Sequence, residues 1–405
     1  MTARRFDVTL YGATGFVGRQ TARYFAEHAQ GACWALAGRS AAKLESLRAE
    51  HIAAAPGVLV ADAGDVAALD ALASQTRVVL STAGPFARYG SELVAACVRH
   101  GTHYVDITGE TPWVRHMIDG HHADAAKRGT RIVPGCGFDS VPSDLGAWLV
   151  ARALHQQHGE RCISVKACFS MRGGLNGGTA ASMFNALDEG AQAQLDDPFL
   201  LNPAGTAPTD AAAHRDPAGA LRDADFDGWL APFVMGPINT RVVRRSVALL
   251  ATSGLYAPEF RYQEYMRIGR GAGGALAATA VAVGMAAGRT ALAFEPMRRI
   301  AQRFAPAPGE GPSERTMNEG SFRCELIGVG ERGSVQRGRI AGRGDPGNRA
   351  TTVFVCESAL ALALDAKQLP GGTRLGGVLT PSTAFGEVLA ERLRAAGMTV
   401  DPTGD

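Results

Sequence analysis

An excess of either charge is missing from this 405-residue chain: 41 Lys and Arg stand against 39 Asp and Glu, a formal net of +2. No global field therefore draws it to nucleic acid. Cysteine is sparse, with residues at 33, 97, 136, 162, 168, 324 and 356 and no Cys-x-x-Cys. An odd, scattered set of thiols argues against a disulfide scaffold and a zinc knuckle, and makes a reducing cytoplasm the expected compartment. Met1 to Asp7 lead straight into a β pattern without an apolar stretch, so no secretory leader is expected. No tyrosine has a lysine four positions later, which removes the acid pair of the short-chain dehydrogenases, and neither Gly-x-Ser-x-Gly nor His-Glu-x-x-His occurs. His116, His121 and His122 read as solvated residues of a surface helix rather than metal ligands. Arg241, Arg244 and Arg245 lack the interleaved aromatics of a nucleic-acid site.

With 46% hydrophobic and 20% charged residues the composition is ordinarily globular, and at about 150 residues per domain the length predicts two or three domains. Phe6 to Tyr11 alternates as a β-strand, turns at Gly12 and continues as a helix carrying Phe16, Val17, Tyr24 and Phe25. The same rhythm recurs at 33–37 with 41–50, at 58–61 with 66–73 and at 77–82 with 91–100, and further strands fall at 104–107 and 131–134. Parallel strands need long crossovers of this kind, so residues 1–140 predict a doubly wound α/β domain of Rossmann type. From 141 the pattern shifts to longer period-two segments at 163–171, 260–268 and 322–329. These predict a second α+β domain over 141–375 on a mainly antiparallel sheet. A final segment, 376–405, is expected to return and pack on the first domain.

Residues 188–230 predict a long inserted loop; 188–227 hold nine acids and two arginines, net −7, with Pro203, Pro208 and Pro217. Residues 231–305 carry the opposite sign, ten arginines against three glutamates, net +7. The two blocks either cancel inside the fold or leave a basic patch, including Arg241, Arg244 and Arg245, for an anionic membrane or an acidic carrier protein. Within the basic block Gly271 to Gly288 has no charge, and 13 of its 18 residues are Gly or Ala. Such weak hydrophobicity per residue favours a small-residue packing helix or a membrane-surface helix over a transmembrane span. Pro306, Pro308 and Pro312 mark the loop that follows.

Gly12-Ala13-Thr14-Gly15-Phe16-Val17-Gly18 closes the first strand and opens the first helix. There Gly12 permits the tight turn, Gly15 lets the backbone approach a pyrophosphate, and Gly18 allows close helix packing, while the helix N-terminus offers unpaired N–H groups to the anion. The competing reading is a glycine-rich turn that only packs. The second strand ends in Gly38-Arg39-Ser40, with Lys43 one turn on, at the place where a carboxylate would select NAD. A guanidinium, a hydroxyl and an ammonium suit a 2′-phosphate instead, which makes NADP(H) the expected cofactor. Arginine supplies 37 of the 41 basic residues, so Lys43 is the more informative of the two cations. The turns after the fourth, fifth and sixth strands are Ala83-Gly84-Pro85, Asp106 to Glu110 and Gly135 to Ser140. They are expected to converge on one cleft at the carboxyl ends of the strands, with Ala83, Gly84 and Pro85 beside the cofactor.

Together Tyr11 to Gly18, Ala37 to Ser40, Ala83 to Phe86 with Tyr89-Gly90, Tyr104 to Glu110, Gly137 to Asp144, Gly376 to Pro381 and Ala384-Phe385 make a pattern that resembles the saccharopine dehydrogenase-like oxidoreductases. Within that group the chain is similar to the bacterial trans-acting enoyl reductases, and the likeness spans nearly its whole length. The resemblance implies an acyl thioester substrate, carried on an acyl-carrier protein or polyketide synthase making long-chain lipids. Eukaryotic relatives are found with lipid bodies. True saccharopine chemistry would call for cationic groups around an amino-dicarboxylate, whereas the second domain here is rich in Gly, Ala and other apolar residues.

The leading expectation is an NADPH-dependent reductase of the α,β-double bond of an acyl thioester. Such a reaction needs a donor to the enolate oxygen and a proton at the α-carbon. Tyr89, just beyond the fourth turn, is the first candidate donor, set against a packing or ribose-holding role. Asp139 and Ser140 are a second pair, set against service as a helix N-cap. Two alternatives remain open: a non-catalytic NADPH-binding adaptor associated with lipid, and a saccharopine-type imine or amino-acid dehydrogenase. Peripheral contact with the inner face of the membrane is compatible with the sequence, and the oligomeric state is left open.

Overall fold

The structure is a computed structural model that describes residues 4–403 apart from 175, 189–191, 209 and 308. The alternating first third folds as β1 (Phe6–Tyr11), α1 (Phe16–His28), β2 (Trp34–Gly38), α2 (Ala41–Glu50), β3 (Gly57–Val60), α3 (Val66–Gln75) and β4 (Thr76–Ser81). It continues through α4 (Phe86–Tyr89), α5 (Ser91–His100), β5 (His103–Asp106), α6 (Thr111–Arg128) and β6 (Arg131–Val133). Then come α7 (Val141–His158), β7 (Cys162–Arg172), α8 (Gly177–Asp188), α9 (Gln192–Asp196), β8 (Leu221–Asp223), β9 (Gly228–Pro232) and α10 (Gly236–Leu249). The chain goes on as β10 (Tyr256–Gly269), α11 (Gly271–Ala293), α12 (Glu295–Phe304), α13 (Glu314–Glu319), β11 (Ser321–Gly330) and β12 (Val335–Arg343). It closes with α14 (Thr351–Leu364), β13 (Gly377–Val378), α15 (Pro381–Phe385), α16 (Glu387–Ala395) and β14 (Thr399–Asp401).

The first sheet has the order β13-β6-β5-β4-β1-β2-β3, and all its pairs are parallel. Successive strand residues point to opposite faces. Val8, Leu10, Val78, Leu80 and Val105 accordingly meet α1, α2 and α14 on one side, while Val79, Tyr104 and Ile132 meet α3, α5 and α6 on the other. Strand order reverses between β1 and β4, which opens a crevice at their carboxyl ends.

The second sheet runs β14-β12-β11-β7-β10-β9-β8 and is antiparallel except where β7 and β10 pair in parallel. Helix α7 leaves the crevice end of the first sheet with Pro142 in its opening turn, where a missing N–H costs nothing. It lies against β7, β11 and β12, and Gly146 brings it onto Leu326, whose methyls would stand 2.9 Å from a Cβ there. The apolar core is continuous from Val8 and Leu10 through Leu145 and Leu149 to Val165, Phe169 and Leu326.

Three features differ from the sequence expectation. The stretch 188–230 is not a plain loop but carries α9, a short 3-10 turn at Ala211–His214, β8 and the start of β9, with 189–191 and 209 outside the described residues. The segment 376–405 does add β13 to the first sheet beside β6, but α14 has already reached β1, β4 and β5 before it, and the last strand, β14, leaves for the edge of the second sheet. Finally, Arg241, Arg244 and Arg245 form no exposed patch: all three are at most 3% exposed. Arg241 pairs with Asp216 and donates to the carbonyls of Leu195 and Asp197, Arg244 to those of Pro198 and His214, and Arg245 to those of Leu201 and Val378. The basic helix is thus the internal counterpart of the acidic excursion. A guanidinium fans out five donors, enough to stitch a segment that has few backbone partners of its own.

Candidate active site

The glycine loop has the geometry its sequence calls for. Gly12 sits at φ +81°, and a Cβ there would lie 2.9 Å from the Ala83 nitrogen. At Gly18 a Cβ would lie 2.2 Å from the Gly12 carbonyl oxygen, so the helix packs directly on the turn. Gly15 is the N-cap of α1 and has no side chain to cap it, which leaves the first-turn amides free for an anion. Ala13 and Val17 are buried, and the backbone carbonyl of Thr14 accepts from Arg19 at 2.9 Å. Phe16 lies under Gly311, where a Cβ would come within 2.4 Å of its ring. Arg39 is exposed just past β2, Ser40 caps α2 by accepting from the Lys43 amide at 3.4 Å, and Lys43 is exposed on that helix.

The later turns do converge. Thr82 joins the fourth turn to the glycine loop, its amide donating to Tyr11 at 2.9 Å and its hydroxyl to Gly12 at 3.2 Å. Gly84–Pro85 is a cis peptide, and the amides that follow it are held by Glu110: Phe86 and Ala87 donate to the two carboxylate oxygens at 2.8 and 2.9 Å. Asp106 links the fifth and sixth turns, with Oδ1 accepting from Thr108 at 3.0 Å and Gly135 at 2.9 Å. Burial raises its pKa to about 7, and its Oδ2 has no partner among the described residues. The sequence places Glu110 and Asp106 in the turn after the fifth strand and in the Tyr104 to Glu110 motif, but gives neither a role of its own.

Asp139 follows the sixth turn, and its Oδ2 lies 3.8 Å from where a Cβ of Gly109 would be, beside Ile238. The residue is half-buried, and no described group bonds its carboxyl. Burial alone raises its pKa to about 6. Ser140 occupies the N-cap position of α7 without making a capping bond. Its hydroxyl instead donates to Asn239 Oδ1 at 3.5 Å; Asn239 donates to Glu264 at 2.9 Å, and Tyr262 donates to the same carboxyl at 2.7 Å. Glu264, buried on β10, has its pKa raised to about 7 by burial. Tyr89 ends α4 at the rim with 42% of its surface exposed, next to Arg88, whose Nε donates to Asn185 of α8 at 2.6 Å.

The second lobe covers this cleft. Ser182 of α8 lies 3.4 Å from the Cβ position of Gly84, and the loop before α13 reaches both the start of α8, where the Gly177 amide donates to Glu310 at 3.0 Å, and Phe16. Two motifs far apart in sequence also meet: Asp144 accepts from the Ser382 amide at 2.7 Å and from Ser246, which bonds Thr380 at 2.6 Å. His122 is not a solvated histidine, since its Nδ1 accepts from the Val378 amide at 3.2 Å and holds β13 against α6. A small pocket at the strand ends is lined by Gly109, Leu201, Ile238, Val242, Arg245 and Leu379.

A parallel sheet with an uncapped, glycine-opened helix at its switch point, an exposed arginine after the second strand and titratable groups across the cleft define a dinucleotide-dependent oxidoreductase. Residues 8–133 match the saccharopine dehydrogenase NADP binding domain family. A trans-acting enoyl reductase of Mycobacterium tuberculosis (strain H37Rv) is 38% identical over 419 residues, covering 99% of this chain and 98% of the relative. One from Mycobacterium ulcerans (strain Agy99) is 39% identical over 422 residues, with the same coverage. Among solved structures, the apo saccharopine dehydrogenase (L-Glu forming) of Saccharomyces cerevisiae shares the fold, with a TM-score of 0.52 at 14% identity, over 97% of this chain and 98% of that one. The chain belongs to the trans-acting enoyl reductases of the saccharopine dehydrogenase-like group, and is an oxidoreductase that uses NADP(H).

Proposed function

We propose that the enzyme reduces the α,β-double bond of an acyl thioester presented in trans by the carrier domain of a polyketide synthase. Asp139 carries this reading: a carboxyl without a partner among the described residues, holding its proton up to about pH 6, at the mouth of the strand-end cleft. The glycine loop, the α1 amides and Arg39 would hold NADPH, which supplies a hydride to the β-carbon when bound. Asp139 donates its carboxyl proton to the α-carbon, and the carboxylate left behind regains a proton from water at the open side of the cleft. Glu110 fixes the turn after β4 and Asp106 ties the next two turns, so the wall facing the substrate keeps its shape. Membership of an enoyl reductase family sets aside the non-catalytic adaptor. Seven free thiols, six of them buried, accord with work in a reducing cytoplasm.

The test is NADPH oxidation with enoyl thioesters of increasing chain length, with a saccharopine-type imine as control, followed by single-turnover rates of Asp139→Asn and Tyr89→Phe. Enoyl turnover that drops at least about a hundredfold in Asp139→Asn while NADPH binding persists supports the assignment. A full rate in Asp139→Asn with a slow Tyr89→Phe moves the donor role to Tyr89, and imine turnover without enoyl turnover overturns the substrate class.

A further inference from the structure

The Gly271–Ala293 helix rests on the second sheet along one narrow stripe. Gly274, Ala278 and Ala282 are its buried residues, and Gly274 approaches so closely that a Cβ would lie 2.6 Å from the carbonyl carbon of Gly269. Most of its length faces outward, and Leu276 and Val283 stand 76% and 63% exposed. After the turn at Phe294, α12 shows Met297, Ile300 and Phe304 on one face at i, i+3 and i+7, with Phe304 86% exposed. Arg298, Arg299 and Arg303 occupy the opposite side and flanks of that helix. Residues 271–304 contain four arginines and a single acid, Glu295, which pairs with Arg299; Arg289 pairs with Asp196, Arg298 is half-buried and donates to the Leu292 and Ala293 carbonyls, and Arg299 and Arg303 are exposed. Helix α12 also touches α8, the helix over the cofactor cleft.

We infer that α11 and α12 form a peripheral docking surface for an anionic lipid bilayer. The contact of α11 with β9 and β10 keeps that helix lying along the protein, so its length does not carry it across a membrane. A two-helix face with exposed Phe, Ile, Met, Leu and Val, bordered by the exposed Arg299 and Arg303, whose stems can lie along the apolar surface while their heads reach headgroup phosphates, matches the in-plane mode of binding. The positive flank selects an anionic surface over a neutral one. This surface lies apart from the buried Arg241, Arg244 and Arg245 cluster, and it stands or falls independently of the substrate assignment.

Full-length protein would be sedimented with phosphatidylcholine vesicles with and without about 30% phosphatidylglycerol, at low and high salt. The expected result is binding to the anionic vesicles that weakens with salt and falls at least about tenfold in Met297→Gln/Ile300→Gln/Phe304→Gln, with unchanged thermal midpoint and NADPH affinity. Arg299→Gln/Arg303→Gln should lose the preference for anionic over neutral vesicles. Absence of vesicle binding by the wild-type protein overturns the inference. So does a wild-type dimer on gel filtration that the apolar triple variant converts to monomer, because the face would then belong to a second copy.

Discussion

Asp139 keeps a proton into weakly acidic solution because burial thins its hydration and no described group stabilises its charge. If it donates the α-proton, the chemical step should be fastest below about pH 6 and decline as pH rises through that value. A rate profile of kcat would show the descending limb, and Asp139→Asn would lack it. At the other end of the cleft, Arg39 is the exposed cation after β2. Arg39→Asp is expected to lower NADPH affinity by at least about tenfold, ~1.4 kcal/mol, while improving NADH relative to it. Equal losses for both cofactors in fluorescence titrations would make the residue structural. Glu264 tests burial itself, since its folded pKa lies near 7 against an ordinary 4.5. Its contribution to stability is complete below about pH 4.5 and is lost as pH rises through 7, because ionised Glu264 is then held without water. The thermal midpoint of the wild type should therefore fall more between pH 5.5 and 8 than that of Glu264→Gln; parallel curves would mean the site takes in water.

At the scale of elements, the first turn is a contact between two backbones rather than between side chains. Gly18 has no room for a methyl because the Gly12 carbonyl oxygen would stand 2.2 Å from it, and no flexible side chain there can move aside. Gly18→Ala must push α1 off the turn, at a cost of about 1–3 kcal/mol. Calorimetry should show a lowered midpoint and titration a loss of NADPH affinity; a normal value for both would show that α1 can slide without penalty. This part of the site was legible from sequence because its determinants lie within seven residues. Glu110 was not, since it holds amides more than 20 positions away, and nothing local distinguishes a carboxylate bound to backbone from one facing water. The same limit hid the path from Ser140 through Asn239 to Glu264, whose members come from three separate elements.

For the whole molecule the decisive fact is that the two sheets share their largest core cluster, although each also buries a separate one. One apolar cluster runs from Val8 through α7 to Leu326, and Phe354 of α14 belongs to it together with strands of both sheets. Arg131, fully buried at the start of β6, donates to the carbonyls of Pro370, Gly372 and Ala384, so the end of the chain is tied to the first sheet. Urea unfolding should accordingly give one transition, with tryptophan fluorescence and far-UV circular dichroism coinciding, even though Trp34 and Trp113 lie in the first lobe and Trp229 lies in the second sheet. Two resolved transitions would mean that α7 and α14 act as linkers rather than as shared core.

Sequence alone determined the parallel sheet, the glycine turn and the change to a second, mainly antiparallel sheet. Each of these is written in short-range periodicity, where side-chain alternation and helix phase follow from backbone geometry. It also fixed the amount of charge in 188–227 and 231–305, but not its destination. Only the tertiary structure decided that Arg241, Arg244 and Arg245 turn inward to carbonyls and Asp216, and that the positive face lies on α12 instead. Composition counts charges, whereas burial depends on which distant backbone groups lack partners once the chain has closed on itself. The same reason brought Asp144 to Ser382: a motif can be recognised in one dimension, but what it holds is a matter of three.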